Sequence, residues 1–151
     1  MPPPKNANAT LQVNTKALYD ALHGTQPVNI DNYCKFKENT PGTSNENFLI
    51  TVNAGDTINW TGEVFGDGSG GEINIVGVIY ERGHEVFSEI DFTRDNGKKN
   101  KPMKAKGNIE QSLPTGYNVD NESYTLYFSY TDGPGNYFGT FQIDPKIEVN
   151  P

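Results

Sequence analysis

Hydrophobic residues in this chain recur mostly at every second position. Leu11 and Val13 alternate with Gln12 and Asn14, and Phe48, Ile50 and Val52 alternate with Leu49 and Thr51. Period two marks a strand that lays one face on a core. After the turn signal Asn53-Ala-Gly55-Asp56 a further strand carries Ile58 and Trp60 on one face and Asn59 and Thr61 on the other. In Glu72 to Tyr80 the odd positions Ile73, Ile75 and Ile79 point to one core. Gly77 interrupts that face, as expected opposite a bulky neighbour such as Trp60. Val86 to Phe92 predicts another strand and Ile109 to Leu113 a weaker one, with a Lys-rich loop over 94–108 between them. Ser123 to Tyr130 and Tyr137 to Ile143 are dense in aromatic and β-branched residues, and Thr131-Asp-Gly-Pro-Gly-Asn136 between them reads as a hairpin turn. Asp144-Pro145 breaks the last strand, which Ile147 and Val149 resume.

One stretch departs from period two. In Thr15 to Gly24, Leu18 and Leu22 share a helical face, Thr15 stands at a capping position and Gly24 at a stop, which predicts one short helix. Residues 1–9, polar and rich in proline, predict a flexible N-terminal arm ahead of a domain spanning 10–151. Residues 37–47 read as loop. Roughly seven to nine strands at spacings of about ten residues predict an all-β, single-domain antiparallel β-sandwich of cupredoxin or immunoglobulin-like kind.

Composition narrows the picture. The 151 residues suit one domain, and eight Tyr, eight Phe and one Trp supply large buried areas from few inward positions. A formal charge of −7 opposes approach to phosphate backbones, so nucleic acid is not an expected partner. Cys34 is the single cysteine, so no intrachain disulfide forms. No stretch has the length and apolarity of a membrane span, and the N-terminal residues lack the apolar run of a secretory signal. A cytoplasmic location is expected, with export by a non-classical route as the alternative.

A cupredoxin would place a thiolate, an imidazole and a thioether in the loop of the final hairpin. Here that loop is Asp132-Gly-Pro-Gly-Asn136, and His23, His84 and Cys34 all lie elsewhere in the sequence. Blue copper needs two His and one Cys in trigonal geometry, so a metal-free sandwich is expected, with no cofactor.

Asn53-Ala-Gly-Asp-Thr-Ile-Asn-Trp60, followed much later by Tyr124-Thr-Leu-Tyr-Phe-Ser-Tyr130 and Tyr137-Phe-Gly-Thr-Phe-Gln-Ile-Asp-Pro145, resembles the bacterial inclusion body proteins of the PixA and AidA type. Their pattern is a Gly-Asp-x-Ile/Val-x-Trp strand and a terminal hairpin ending in an aromatic-rich Asp-Pro-x-Ile. The strand and helix from Leu11 to Leu22 stand where that family has them. Gln142-Ile143 departs from it, because the family favours an aromatic before Asp-Pro, and so does the lysine content of 94–108. The resemblance implies a β-sandwich accessory protein with no settled enzymatic activity and no catalytic residues to carry over.

The remaining candidates each have a plainer reading beside them. Asp67 and Glu72 lack the ligand series of a calcium loop. His84, between Gly83 and Glu85, lacks an accompanying nucleophile. Cys34 reads as a small buried hydrophobe. Asn8-Ala-Thr, Asn59-Trp-Thr and Asn121-Glu-Ser match glycosylation acceptors, which mean nothing without a secretory route. Lys98, Lys99, Lys101, Lys104 and Lys106 crowd five of the twelve basic residues into one segment. With no aromatic interleaved they read as a solvated loop rather than a nucleic-acid patch. Setting those five charges against the total of −7 leaves −12 on the rest, so the chain is electrically polar and head-to-tail self-association is expected.

Two function classes follow. The first is a non-catalytic accessory protein, a homo-oligomer or a binder of a partner protein surface, with the five lysines as candidate contacts. The second is a carbohydrate-binding module in which exposed rings such as Trp60, Tyr117 or Tyr137 stack on a glycan, whereas core packing is the plainer role for aromatics in such strands. An enzyme ranks last, for want of a nucleophile, carboxylate pair or metal cluster at recognisable spacing.

Overall fold

The computed structural model describes residues 5–65, 71–80, 86–94, 103–111, 122–132 and 135–150. The strands are β1 (Asn6–Val13), β2 (Cys34–Phe36), β3 (Leu49–Asn53), β4 (Thr57–Val64), β5 (Glu72–Tyr80), β6 (Phe87–Arg94), β7 (Met103–Ile109), β8 (Glu122–Thr131), β9 (Tyr137–Ile143) and β10 (Lys146–Asn150). One α-helix, α1 (Thr15–Leu22), follows β1. The strands form two sheets, one ordered β2-β1-β4-β7-β6 and the other β3-β10-β8-β5, with β9 paired to β8.

Both sheets are mixed, which corrects the antiparallel expectation. β1 runs parallel to β4, and β10 runs parallel to β3. Parallel neighbours need a long crossover between them. Here the chain supplies it by leaving the first sheet after β2, building β3 in the second, and returning with β4. The first and last strands of the chain therefore enter their sheets beside strands formed from its first half.

β1 also corrects the expected arm. It begins at Asn6, pairs with β4 from Asn6↔Thr57 onward, and buries Ala9 completely. Polar composition alone suggested disorder, but pairing along β4 satisfies a backbone whatever its side chains are. Residues 1–4 lie outside the described residues.

The turn Asn53 to Asp56 is the junction. It joins β3 to β4 across the two sheets, with Gly55 at φ +85°, a conformation that favours glycine. The Asp56 carboxylate accepts from the Lys5 amide at 2.9 Å and from the Asn53 amide at 2.8 Å. The Ala54 amide donates to the Asn150 carbonyl at 2.8 Å. One turn thus holds the start of β1 and the end of β10.

The core is one cluster shared by the two sheets. Trp60 on β4 and Tyr124 on β8 are fully buried, and the indole Nε1–H donates across the core to the Tyr124 hydroxyl at 3.1 Å. Small residues on β7 make room for the ring: a Cβ added at Gly107 would stand 2.7 Å from Trp60. This explains why the expected Lys-rich loop is partly strand. Met103 to Ile109 alternates Lys104 and Lys106 with the buried Ala105, Gly107 and Ile109, but inward residues that small give little hydrophobic signal. The strand expected from Ile109 to Leu113 instead ends at Ile109, and residues 112–113 lie outside the described residues.

β5 holds a second correction. Its register on β8 shifts between Ile75 and Gly77, so Val78 turns inward and Ile79 (54% exposed) turns out, beside Val76 (41% exposed). The extra residue reverses the pleat, as a bulge does. Gly77 faces Tyr127, whose ring lies 3.1 Å from the position of an added Cβ, rather than Trp60.

The helix matches its expected span, but its cap is Asn14, whose side chain accepts from the Ala17 amide; Thr15 is buried instead. Asp144-Pro145 interrupts the last strand without moving it. β9 and β10 keep one register along the same edge of β8, and the Thr125 hydroxyl donates to Asp144 at 2.7 Å.

Candidate functional site

The β8–β9 hairpin carries Tyr137, the most exposed large hydrophobic residue among those described. Asp132 organises the turn by accepting from the Asn136 amide at 2.7 Å and from its side-chain amide at 3.2 Å, and Gly135 adopts φ +98°. Tyr137 follows, 64% exposed, its hydroxyl 2.6 Å from that of Thr140. Phe138 turns the other way and stacks on the buried Tyr130 at 5.2 Å.

Helix α1 packs on the Phe138 side of the hairpin. Tyr19 and His23, four residues apart, lie on one flank of the helix with ring centroids 4.2 Å apart. Phe138 meets Tyr19 edge-on at 5.3 Å and His23 at 5.9 Å. The His23 Nδ1 lies 2.8 Å from the Tyr19 carbonyl, an acceptor, so that nitrogen carries the proton in this bond. The arrangement offers apolar ring faces edged by hydroxyl and imidazole groups. It can stack on a flat apolar ligand face or partner side chain; it holds no nucleophile and base in contact.

The residues singled out from sequence are scattered. Trp60 is fully buried, which removes it from any exposed binding face. Tyr137 is exposed. Lys104 and Lys106 lie on β7 rather than in a loop, beside Thr93 and Asp91 of β6. Tyr117, Lys98, Lys99 and Lys101, with Asp67 and His84, lie outside the described residues. Tyr19, His23 and Phe138 were not anticipated. Their sequence signal was the i, i+4 spacing of Tyr19 and His23 beside the Leu18 and Leu22 face.

Cys34 is buried, its carbonyl accepting from the Asn45 side chain at 3.0 Å. Burial, and then the charge of Asp31, pushes its thiol up to about 12, so it stays protonated and unreactive near neutrality. Two depressions flank the loop after β2. One of about 240 Å³ is lined by Lys35, Lys37 and Thr40, and one of about 330 Å³ by Asp31, Cys34 and Glu46. They sit at or below the smallest volumes usual for ligand pockets. Among the described residues, no three His, Cys, Asp or Glu side chains gather as a metal site would need, and no helix is long and apolar enough to cross a membrane.

No family model and no curated protein matches this sequence. The fold does have a counterpart among solved structures. The crystal structure of an inclusion body protein, PixA, from Burkholderia cenocepacia J2315 superposes with a TM-score of 0.69 at 15% identity, covering 98% of this chain and 97% of that one. At that identity the likeness establishes a shared fold across the whole chain.

Proposed function

We propose that this chain is a non-catalytic, metal-free β-sandwich accessory protein of the bacterial inclusion body kind, acting by association with copies of itself or with a partner protein surface. The observation that carries the reading is the end-to-end likeness in fold to the PixA inclusion body protein. The sequence motifs around Trp60 and the final hairpin support it independently. The sites support it too, since the exposed features are ring faces, lysines and shallow depressions, which suit surface recognition better than turnover.

Sedimentation velocity on the purified chain, from micromolar to millimolar concentration, tests the self-associating form. A concentration-dependent rise in sedimentation coefficient is expected. A strict monomer throughout, at low as well as physiological salt, overturns it and leaves partner binding.

The exposure of Tyr137 favours one second reading, a carbohydrate-binding module. Glycan-array binding that is lost in Tyr137→Ala supports it. Absence of binding across the array, in a chain that self-associates, discards it.

A further inference from the structure

Charge is spread unevenly over the outer faces of the two sheets. On the first sheet, positions alternating with core residues hold Glu63, Glu89, Asp91 and Lys106. On the second, β10 turns Lys146 and Glu148 outward and the Asp144 carboxylate accepts from Thr125, but inside that margin the outward positions of β5, β8 and β9 hold Val76, Ile79, Tyr127, Thr140 and Gln142, none of them charged. In a chain that is 21% charged, with mean hydropathy −0.66, an uncharged face of this kind is not needed for folding. Val76 and Ile79 are 41% and 54% exposed, and the bulge in β5 is what turns Ile79 outward. Gly77 lets the Tyr127 ring lie across β5 beside them. Bulge and glycine together build a flat apolar strip at the cost of a regular strand.

We infer that this β5–β8–β9 face is where a second copy of the chain docks, face to face and with the same patch on both sides. The inference rests on the self-associating reading above. Charge selects the occupant. Each copy carries −7, so contact through most of the surface brings like charges together and desolvates them. In an isologous contact every residue lies near its own copy or that of a close neighbour. An uncharged patch is the surface that meets itself without that penalty, and a central Tyr flanked by aliphatic residues is the usual composition of an interface core.

Size sets the strength. Three strands about 4.8 Å apart and some five residues long give a flat patch of a few hundred Å², well below the roughly 800 Å² per partner of a standard interface. The contact is therefore weak and driven by concentration. With no charged side chain inside the patch, it persists when salt is raised.

Sedimentation equilibrium of the full chain at 0.15 M and 1 M salt tests this. Ile79→Glu and Gln142→Glu, on the two flanks of the patch and at exposed positions, are each expected to weaken association at least tenfold without moving the thermal midpoint. Tyr127→Glu and Tyr127→Lys, at its centre, are each expected to stay monomeric alone and to associate when mixed in equal amounts. If Ile79→Glu and Gln142→Glu associate within threefold of wild type, or the mixed Tyr127 variants fail to pair, this face is not the contact. Wild type that never associates overturns the underlying reading instead, so the two failures are distinct.

Discussion

Trp60 concentrates several of the chain's constraints in one side chain. Its ring fills the space between the sheets, faces Gly107 and meets Phe87 edge-on at 5.5 Å, and its Nε1–H satisfies the Tyr124 hydroxyl. Trp60→Ala is expected to cost about 3–5 kcal/mol in denaturant unfolding, because it leaves a cavity and orphans a buried hydroxyl. An unchanged midpoint would contradict the burial. Cys34 gives a residue-scale prediction with a sign. Its thiol, ordinarily near 9.0, is pushed up to about 12 by burial and secondarily by Asp31. Between those values the unfolded chain loses a proton that the folded chain keeps, so this contribution to stability is intact below about pH 9 and drains away as pH rises toward 12. Cys34→Ala should flatten the alkaline fall in stability over that window relative to wild type, read from unfolding curves at successive pH values.

At the scale of elements, the turn from Asn53 to Asp56 matters more than its four residues suggest. Asp56 accepts amide hydrogens from β1's approach and from its own turn, while Ala54 takes the last carbonyl of β10. Asp56→Ala orphans two donors at about 1–3 kcal/mol each, so a loss of about 2–6 kcal/mol is expected in equilibrium unfolding. A loss under about 0.5 kcal/mol, the level of an ordinary surface change, would show that the turn is not a clasp. Most elements were legible in advance for a shared reason: where inward residues are large, as at Phe48, Ile50 and Val52 or along β8, alternation is loud. β7 was hidden because Ala105 and Gly107 must be small to admit Trp60. The phase of β5 was misread because one bulged residue reverses every side chain after it, and nothing in Ile-Val-Gly-Val-Ile marks which residue is extra.

For the whole molecule, the lysine segment carries less weight than its sequence suggests. Lys106 sits beside Asp91 in the sheet, so part of the charge expected to draw another copy is met within the chain. Replacing Lys98, Lys99, Lys101, Lys104 and Lys106 with Ser should weaken self-association at low salt. At 0.15 M, where exposed charges are screened beyond about 8 Å and single pairs contribute about 0–1 kcal/mol, the change should stay within about fivefold. Sedimentation equilibrium at two ionic strengths reads the difference, and a complete loss of association at 0.15 M would return the lysines to the centre of the contact.

By itself the sequence determined that the chain is mainly β with one short helix, that its core is aromatic, and that its final hairpin has no copper ligands, because side-chain period, ring content and ligand chemistry are local properties. Only the tertiary structure decided which strands lie side by side, that the first and last of them each run parallel to one neighbour and antiparallel to the other, and which outward strip of the second sheet carries no charge. Those outcomes depend on residues far apart in the chain filling one another's space: Gly107 under Trp60, Gly77 under Tyr127, Asp56 between Lys5 and Asn53. A glycine, a bulge or a buried carboxylate has meaning only once its neighbour is in place, and the pattern along the chain does not name that neighbour.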